Sequence, residues 1–102
     1  MKQNVTVFEK IEAWADARNL IDGSDSFRQL AKLTEEAGEL AGGIAKQRHE
    51  VVADSIGDCV VVLTILAAQN GLNIADCIQA AYEEIKDRKG RMVDGVFVKE
   101  GD

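Results

Sequence analysis

The apolar run at residues 59–68 constrains the fold of this chain more than any other feature. Only Thr64 interrupts it, so a helix over this segment is apolar on nearly every side and must be buried all round. The run is ten residues long, whereas crossing a bilayer takes about 20. A chain of 102 residues has too little material to enclose a helix completely. We therefore expect a homodimer or homotetramer in which a second subunit covers the remaining face.

Glycines divide the rest of the chain into helical patterns. Proline is absent and aromatic residues are 5% of the chain, which argues against a β-sandwich. Apolar residues recur at helical spacing, with Thr6 and Glu9 as a capping box and Ser24 or Ser26 as the cap of the second helix. We predict a single all-α domain over residues 1–102, a four-helix-bundle-like subunit. Its predicted helices cover residues 6–18, about 24–44, 49–70 and 73–89.

Two places in this pattern leave alternatives open. Gly42 and Gly43 either end the second helix or let another backbone come close. In the tail, residues 91–102, valines flank Asp94-Gly95, which is a hairpin-type turn signal. The tail is therefore either a docked hairpin or an extended segment.

The charge balance restricts the partners of the chain. It has 18 acidic against 12 basic residues, a net charge of -6, which disfavours nucleic acids and anionic membranes as partners. No signal peptide is visible at the start. The two cysteines, Cys59 and Cys77, lack a CxxC spacing and are expected to be free thiols. We expect a cytoplasmic location.

Carboxylates concentrate in the two middle helices. Glu36 and Glu39 are three residues apart and share a helix face, and Asp58 lies on a face that continues into the apolar run. Inward-facing carboxylates without cationic partners require a positive ion. Mg²⁺ fits oxygen ligands best, with Mn²⁺ as a substitute. A solvated acidic helix face is the alternative. The acidic residues concerned are Glu35, Glu36, Glu39, Glu50, Asp54 and Asp58.

A basic cluster closes the fourth predicted helix. Lys86, Arg88, Lys89 and Arg91 fall within six residues, with Asp87 as the one acid among them. Cations at a helix C-terminus complement its dipole, at about 0.3–1 kcal/mol each. Their number also suits the binding of phosphate, so both interpretations stay open.

Several other site types are excluded by the sequence. A di-iron bundle uses Glu-x-x-His pairs, but the one histidine, His49, follows Lys46 at that spacing. No Walker loop, HExxH or GxSxG string is present, which removes the common nucleotide, zinc and serine-hydrolase signatures.

Three segments together resemble the MazG-like all-α nucleoside triphosphate pyrophosphohydrolases, in the manner of small stand-alone, phage-type members. Residues 32–40, Lys-Leu-Thr-Glu-Glu-Ala-Gly-Glu-Leu, resemble the EExxE segment of that family. Residues 54–63, Asp-Ser-Ile-Gly-Asp-Cys-Val-Val-Val-Leu, resemble its second acidic helix, usually ExxD before an apolar run. The basic ending with Gly-Val-Phe resembles the tail of the small members.

The resemblance implies Mg²⁺-dependent cleavage between the α- and β-phosphates of a nucleoside triphosphate, ribo or deoxyribo. Glu36, Glu39 and Asp58 match the metal-binding positions of the family. The first ExxD acid is replaced by Ser55, and Asp54 is the substitute ligand that we expect. Glu83 stands where many family members carry Asn.

The remaining roles follow from this chemistry. We expect Glu35 to orient the attacking water as a base, and Lys86, Lys89 and Arg91 to bind the phosphates. Trp14 and Phe27 either stack on a base or belong to the core. The competing hypothesis is a non-catalytic helical oligomer, a regulatory module that binds nucleotides or proteins. A helix-turn-helix DNA-binding protein is disfavoured by the net charge.

Overall fold

The computed structural model describes residues 5–101, which form four helices and a C-terminal hairpin. The prediction of an all-α fold is confirmed, since the two short strands are the only other regular elements in this part of the chain. The strands pair antiparallel, with Met92 opposite Phe97 and Val93 opposite Val96. The elements are α1 Val7–Ala17, α2 Ser26–Ala45, α3 His49–Gln69, α4 Ile74–Ile85, β1 Gly90–Val93 and β2 Val96–Lys99.

Side-chain caps start three of the four helices. Thr6 and Glu9 form the expected capping box of α1, and the Asn73 side chain accepts a hydrogen bond from the Asp76 amide at the start of α4. The cap of α2 is Asp25, which accepts from the Arg28 amide at 2.8 Å, so the prediction of Ser24 or Ser26 was wrong. A carboxylate complements the helix dipole as well as the free amides.

The packing of α2 against α3 settles the question raised by the paired glycines. Helix α2 continues through both glycines to Ala45. A Cβ atom on Gly43 would lie 2.9 Å from Cγ1 of Val51, closer than two carbon atoms can approach. Gly43 therefore lets the backbone of α2 approach α3, and this contact sets how the two helices face each other.

Helix α4 ends at Ile85, four residues before the predicted end at Lys89. The Glu100 amide donates to the Lys89 carbonyl at 2.8 Å, which extends the hairpin ladder back to the residue before Gly90. A residue in the ladder must be extended, so the helix has to stop earlier. The turn at Asp94-Gly95 has positive φ at both residues, 49° and 80°, as a tight hairpin turn requires. The hairpin alternative for the tail is confirmed.

A single copy leaves a large apolar surface exposed. The total accessible surface of the chain, polar and apolar, is 7986 Å², whereas a compact chain of this mass exposes about 5,700 Å². The radius of gyration is 16.6 Å, against about 13 Å for a compact domain of this length. The buried apolar side chains in the described range are Ala15, Val62, Ile65 and Ala67.

Helix α3 is long and apolar enough to cross a membrane by length and composition, with a mean hydropathy of 2.0 and 28% of that window buried. The core helix of a soluble assembly has the same composition. This is the helix for which the apolar run predicted burial on every side.

Candidate functional site

The site begins with Glu36, a carboxylate that α2 turns toward the interior. Its residue is 6% exposed, although Glu35 and Glu39 on the same helix are exposed. The Lys32 ammonium, one turn earlier, lies 3.4 Å from Oε1 of Glu36 and 3.5 Å from Oε1 of Glu35. The second oxygen of Glu36, Oε2, is buried without a hydrogen-bond partner. Such an atom is costly to bury, so it calls for a donor or a cation.

Two more carboxylates of α2 adjoin Glu36. One oxygen from each of Glu35, Glu36 and Glu39 lies within 4.8 Å of the others. The negative charge of Glu36 raises the pKa of Glu39, and partial burial adds to this effect. The carboxylates of Glu35 and Glu36 raise the pKa of Lys32, because each favours the protonated ammonium. Lys32 thus offsets part of the repulsion, but the site keeps an excess of negative charge.

Helix α3 contributes Asp58 to this cluster. Burial raises the pKa of Asp58, and the negative charges of Asp54 and Glu36 raise it further. Asp58 is therefore near enough to Glu36 to be influenced by its charge, although the oxygens that lie within 4.8 Å of one another are those of the three α2 carboxylates. We refer to Glu35, Glu36, Glu39 and Asp58 as the acid cluster. Asp54, the substitute ligand expected from the sequence, is exposed and lies beside the cluster, where its charge acts on Asp58.

Ser55 occupies the inner side of α3 where the resemblance places an acid. It is 2% exposed, so this position faces the packed interior and not the solvent. A hydroxyl there supplies no negative charge. The acid cluster therefore has one carboxylate fewer at its buried edge than the usual ExxD pattern would provide.

The C-terminal cations, Lys86, Lys89 and Arg91, lie apart from the acid cluster. Nζ of Lys86 is 2.5 Å from Oε2 of Glu83, within α4 and its cap. Lys89 and Arg91 line an open cavity of about 490 Å³ at the base of the hairpin. No ion pair within residues 5–101 joins these cations to the acids of α2 or α3.

The two aromatic candidates are exposed. Phe27 is 84% and Trp14 45% exposed, so neither belongs to the core of a single copy. The Arg18 guanidinium lies 4.5 Å from the centroid of the Trp14 ring, a cation–π contact that covers one ring face. Base stacking by either residue stays a prediction.

Lys32 is the site residue that the sequence analysis did not assign. It was part of the segment resembling EExxE, but its role in pairing the buried Glu36 was not foreseen. The signal was present, because Lys32 precedes Glu35 and Glu36 by three and four residues, the spacings at which helical side chains meet.

These residues fit a hard divalent cation. The donor set is all carboxylate oxygen, the ligand type that Mg²⁺ and Mn²⁺ prefer, and one oxygen of Glu36 is buried without a hydrogen-bond partner. A dication would also offset the charges that raise the pKa values of Glu39 and Asp58.

Comparison with known proteins agrees with this geometry. The sequence model of the MazG nucleotide pyrophosphohydrolase domain matches residues 26–93, which contain the whole acid cluster. The chain is 49% identical over 67 residues to an uncharacterised 18.2 kDa protein of Haemophilus phage HP1, covering 66% of this chain and 41% of the phage protein. The chain thus spans less than half the length of that relative. No solved structure is significantly similar to this chain. Members of the matched family are nucleotide pyrophosphohydrolases that depend in general on divalent metals. The chain belongs to the MazG nucleotide pyrophosphohydrolase family.

Proposed function

We propose that this protein hydrolyses nucleoside triphosphates, with Mg²⁺, to a nucleoside monophosphate and pyrophosphate. The observation that carries the proposal is the buried, partnerless oxygen of Glu36 at a point where carboxylates of α2 and α3 meet. Burying a carboxylate oxygen without a partner is costly, so a purely structural role does not account for it. Here Lys32 is the single ammonium paired with the cluster among the described residues.

Glu36, Glu39 and Asp58 would hold the cation, with Asp54 as a further ligand from the adjacent turn of α3. When bound, the cation supplies positive charge to the phosphate oxygens and lowers the pKa of water. Mn²⁺ would substitute for Mg²⁺ at the same carboxylates.

Glu35 would act as the base on the attacking water. Its side chain is exposed, yet one of its oxygens lies within the acid cluster. In the proposed step a water oxygen bonds to the α-phosphorus and the bond to the bridging oxygen breaks. A carboxylate oxygen of Glu35 takes the proton of the water, and pyrophosphate leaves. The Lys32 ammonium lies 3.5 Å from Oε1 of Glu35.

We further propose a homodimer or homotetramer, acting in the cytoplasm without nucleic-acid or membrane partners. The exposed surface exceeds that of a compact chain by about 2,300 Å², well above the roughly 800 Å² per partner of a standard interface. The C-terminal cations form no ion pair with the acids of α2 or α3 in the described part of their own chain. We therefore propose that the C-terminal cations that bind the phosphates at one acid cluster come from a second copy. Trp14 and Phe27 are the candidate base-stacking residues.

The test is a panel of ribo- and deoxyribonucleoside triphosphates assayed for pyrophosphate release with and without Mg²⁺. We expect release with at least one of them, and none in the presence of EDTA. Glu39→Gln, which preserves shape and removes one charge, is expected to abolish release while leaving the helix content unchanged. Full turnover by this variant, or release of orthophosphate alone, would contradict the proposal.

A second candidate function, a nucleotide-binding or protein-binding regulatory module without catalysis, is favoured by Ser55. The buried serine removes one acid from the usual pattern, which weakens metal coordination. Thermal melts with Mg²⁺ and each nucleotide separate the two functions when combined with the assay. A nucleotide that raises the melting temperature by binding the native state but is never cleaved would favour the module.

A further inference from the structure

An open groove adjoins the acid cluster at the end of α2. Its volume is about 260 Å³. The groove carries two cations in addition to one carboxylate of the acid cluster, and two glycines form its floor. We call it the phosphate groove. It is lined by Glu39, Gly42, Gly43, Lys46, Arg48 and Val51.

The helical period aligns these residues on one side of α2. Glu39, Gly42 and Lys46 are spaced by three and four residues, so they follow one another along a single face. A Cβ atom on Gly42 would meet nothing within 4 Å, which leaves the space above the backbone open. Glu39 and Lys46 are separated by about 10 Å along the helix axis. This length accommodates a diphosphate that begins at the cation ligands and ends at the ammonium group.

The tight turn between α2 and α3 holds the two cations in place. The Arg48 amide donates to the Gly43 carbonyl at 2.9 Å, and the Gln47 amide donates to the Ile44 carbonyl at 3.2 Å. Gln47 adopts a left-handed conformation, with φ of 55°, which is unusual for a residue with a side chain. The backbone on both sides of Gln47 is therefore fixed, so Lys46 and Arg48 start from defined positions.

Both cations are available to an anion. Lys46 forms no ion pair in the part of the chain that the structure describes. Nε of Arg48 lies 3.5 Å from Oε1 of Glu50, and both side chains are largely exposed, at 60% and 74%. Exposed pairs of this kind contribute little, so a phosphate can replace Glu50 as the partner of the guanidinium. Arginine and phosphate form strong, charge-assisted hydrogen bonds.

We propose that the phosphate groove binds the diphosphate portion of the substrate and then the pyrophosphate product, with Lys46 and Arg48 as its ligands. This inference rests on the proposed function, because Glu39 is shared between the groove and the metal ligands. It adds a phosphate-binding set within the same chain as the carboxylates. The cavities beside Lys89 and Arg91 contain no residue of α2 or α3.

Direct binding of inorganic pyrophosphate, measured by titration calorimetry in Mg²⁺, tests the groove without relying on turnover. Lys46→Gln with Arg48→Gln is expected to weaken pyrophosphate binding by about tenfold or more, since each removes a charge-assisted contact. Lys46→Arg keeps a positive charge at position 46. In place of Lys46→Gln, it should therefore retain most of the pyrophosphate affinity that Lys46 contributes. The affinity for Mn²⁺ alone, measured by electron paramagnetic resonance, should stay within about twofold because the carboxylates are intact.

Two comparison variants define what would overturn the inference. Lys10→Gln on α1 removes one positive charge outside the phosphate groove. It should leave pyrophosphate binding unchanged, whereas Lys46→Gln should weaken it. Equal weakening by both variants would show a general charge effect and overturn the groove. Lys89→Gln with Arg91→Gln tests the other basic set; if only this pair weakens binding, the groove is again overturned.

The failure of the groove is distinguishable from the failure of the proposed function. Unmodified protein that releases pyrophosphate, combined with a Lys46→Gln, Arg48→Gln variant that binds pyrophosphate normally, overturns the groove alone. Unmodified protein that binds neither Mn²⁺ nor pyrophosphate overturns both.

Discussion

The α2–α3 pair and the α4–hairpin region differ in how completely one copy of the chain folds them. In the first, α2 approaches α3 so closely at Gly43 that Val51 leaves no room for a side chain, and Glu36 is buried. In the second, no residue of α4, β1 or β2 is buried, and Ile78, Tyr82 and Phe97 are each about half exposed.

The first region therefore carries the candidate site, and the second is the region that we assign to assembly. The acid cluster is formed within a single copy, because its carboxylates come from two helices that pack on each other. Helix α4 contacts α3 at only a few positions, and the large apolar side chains of α4 and the hairpin stay exposed. A 12-residue helix and a two-stranded hairpin are both marginal in isolation. We therefore expect the second region to become stable only in the oligomer.

The largest expected effect is on catalysis, from loss of one carboxylate in the first region. Asp58→Asn should reduce pyrophosphate release by at least about 100-fold, since changes even beyond the ligands of a metal site cost 10–100-fold. The helix content should not fall, and stability should rise slightly as repulsion is relieved. Asp87→Asn, which removes the same charge beside α4, is the matched control and should stay within about twofold of the unmodified rate. Comparable losses in the two variants would break the comparison.

The next effect is on assembly, from a charge placed in the second region. Tyr82→Asp should convert the oligomer to a monomer with reduced helix content, because a carboxylate at an apolar interface is costly to desolvate. Light scattering after size-exclusion chromatography and circular dichroism measure the two changes. Gln79→Ala, on the polar side of α4, is expected to leave the assembly intact. An unmodified protein that is itself monomeric would contradict the assignment of this region to the interface.

A smaller effect concerns pH and Mg²⁺. Because the folded-state pKa values of Glu39 and Asp58 are raised, their contribution to stability is complete below the unfolded value, about 4, and is lost as pH rises through the folded value. The metal-free protein should therefore melt at a higher temperature at about pH 5 than at about pH 7.5. Mg²⁺ should raise the melting temperature more at the higher pH. Equal Mg²⁺ effects at both values would place the binding site elsewhere.

The smallest effect concerns the start of α2. Asp25→Ala should lower the free energy of unfolding by about 0.5–2 kcal/mol, because the Arg28 amide loses its cap. The lowered pKa of Asp25, due mainly to that hydrogen bond, means that its contribution is lost as pH falls through the folded value. Asp25→Asn keeps an acceptor at this position and should cost less, as measured by urea unfolding. Equal losses would show that the charge, and not the cap, matters.

Much of the candidate site could be predicted from the sequence because helical spacing is local. Glu36 and Glu39 share a face by their separation alone, and the apolar run after Asp58 indicated that this part of α3 turns inward. The exposure of Asp54 was not predictable in this way. It precedes Asp58 by four residues and so shares a helix side with it, but which edge of that side faces the interior depends on the rotation of α3 against α2.

The local pattern by itself determined that the chain is all-α, that its acids gather in two helices and that Asp94-Gly95 favours a tight turn, since each depends on neighbours within a few residues. Only the tertiary structure decided that Glu36 is the buried carboxylate, that Lys32 partners it and that α4 stops at Ile85. The physical reason is that burial depends on how two helices face each other. Here the close approach of Gly43 to Val51 sets that arrangement. Lys89 belongs to the hairpin ladder, so it cannot also be part of the helix.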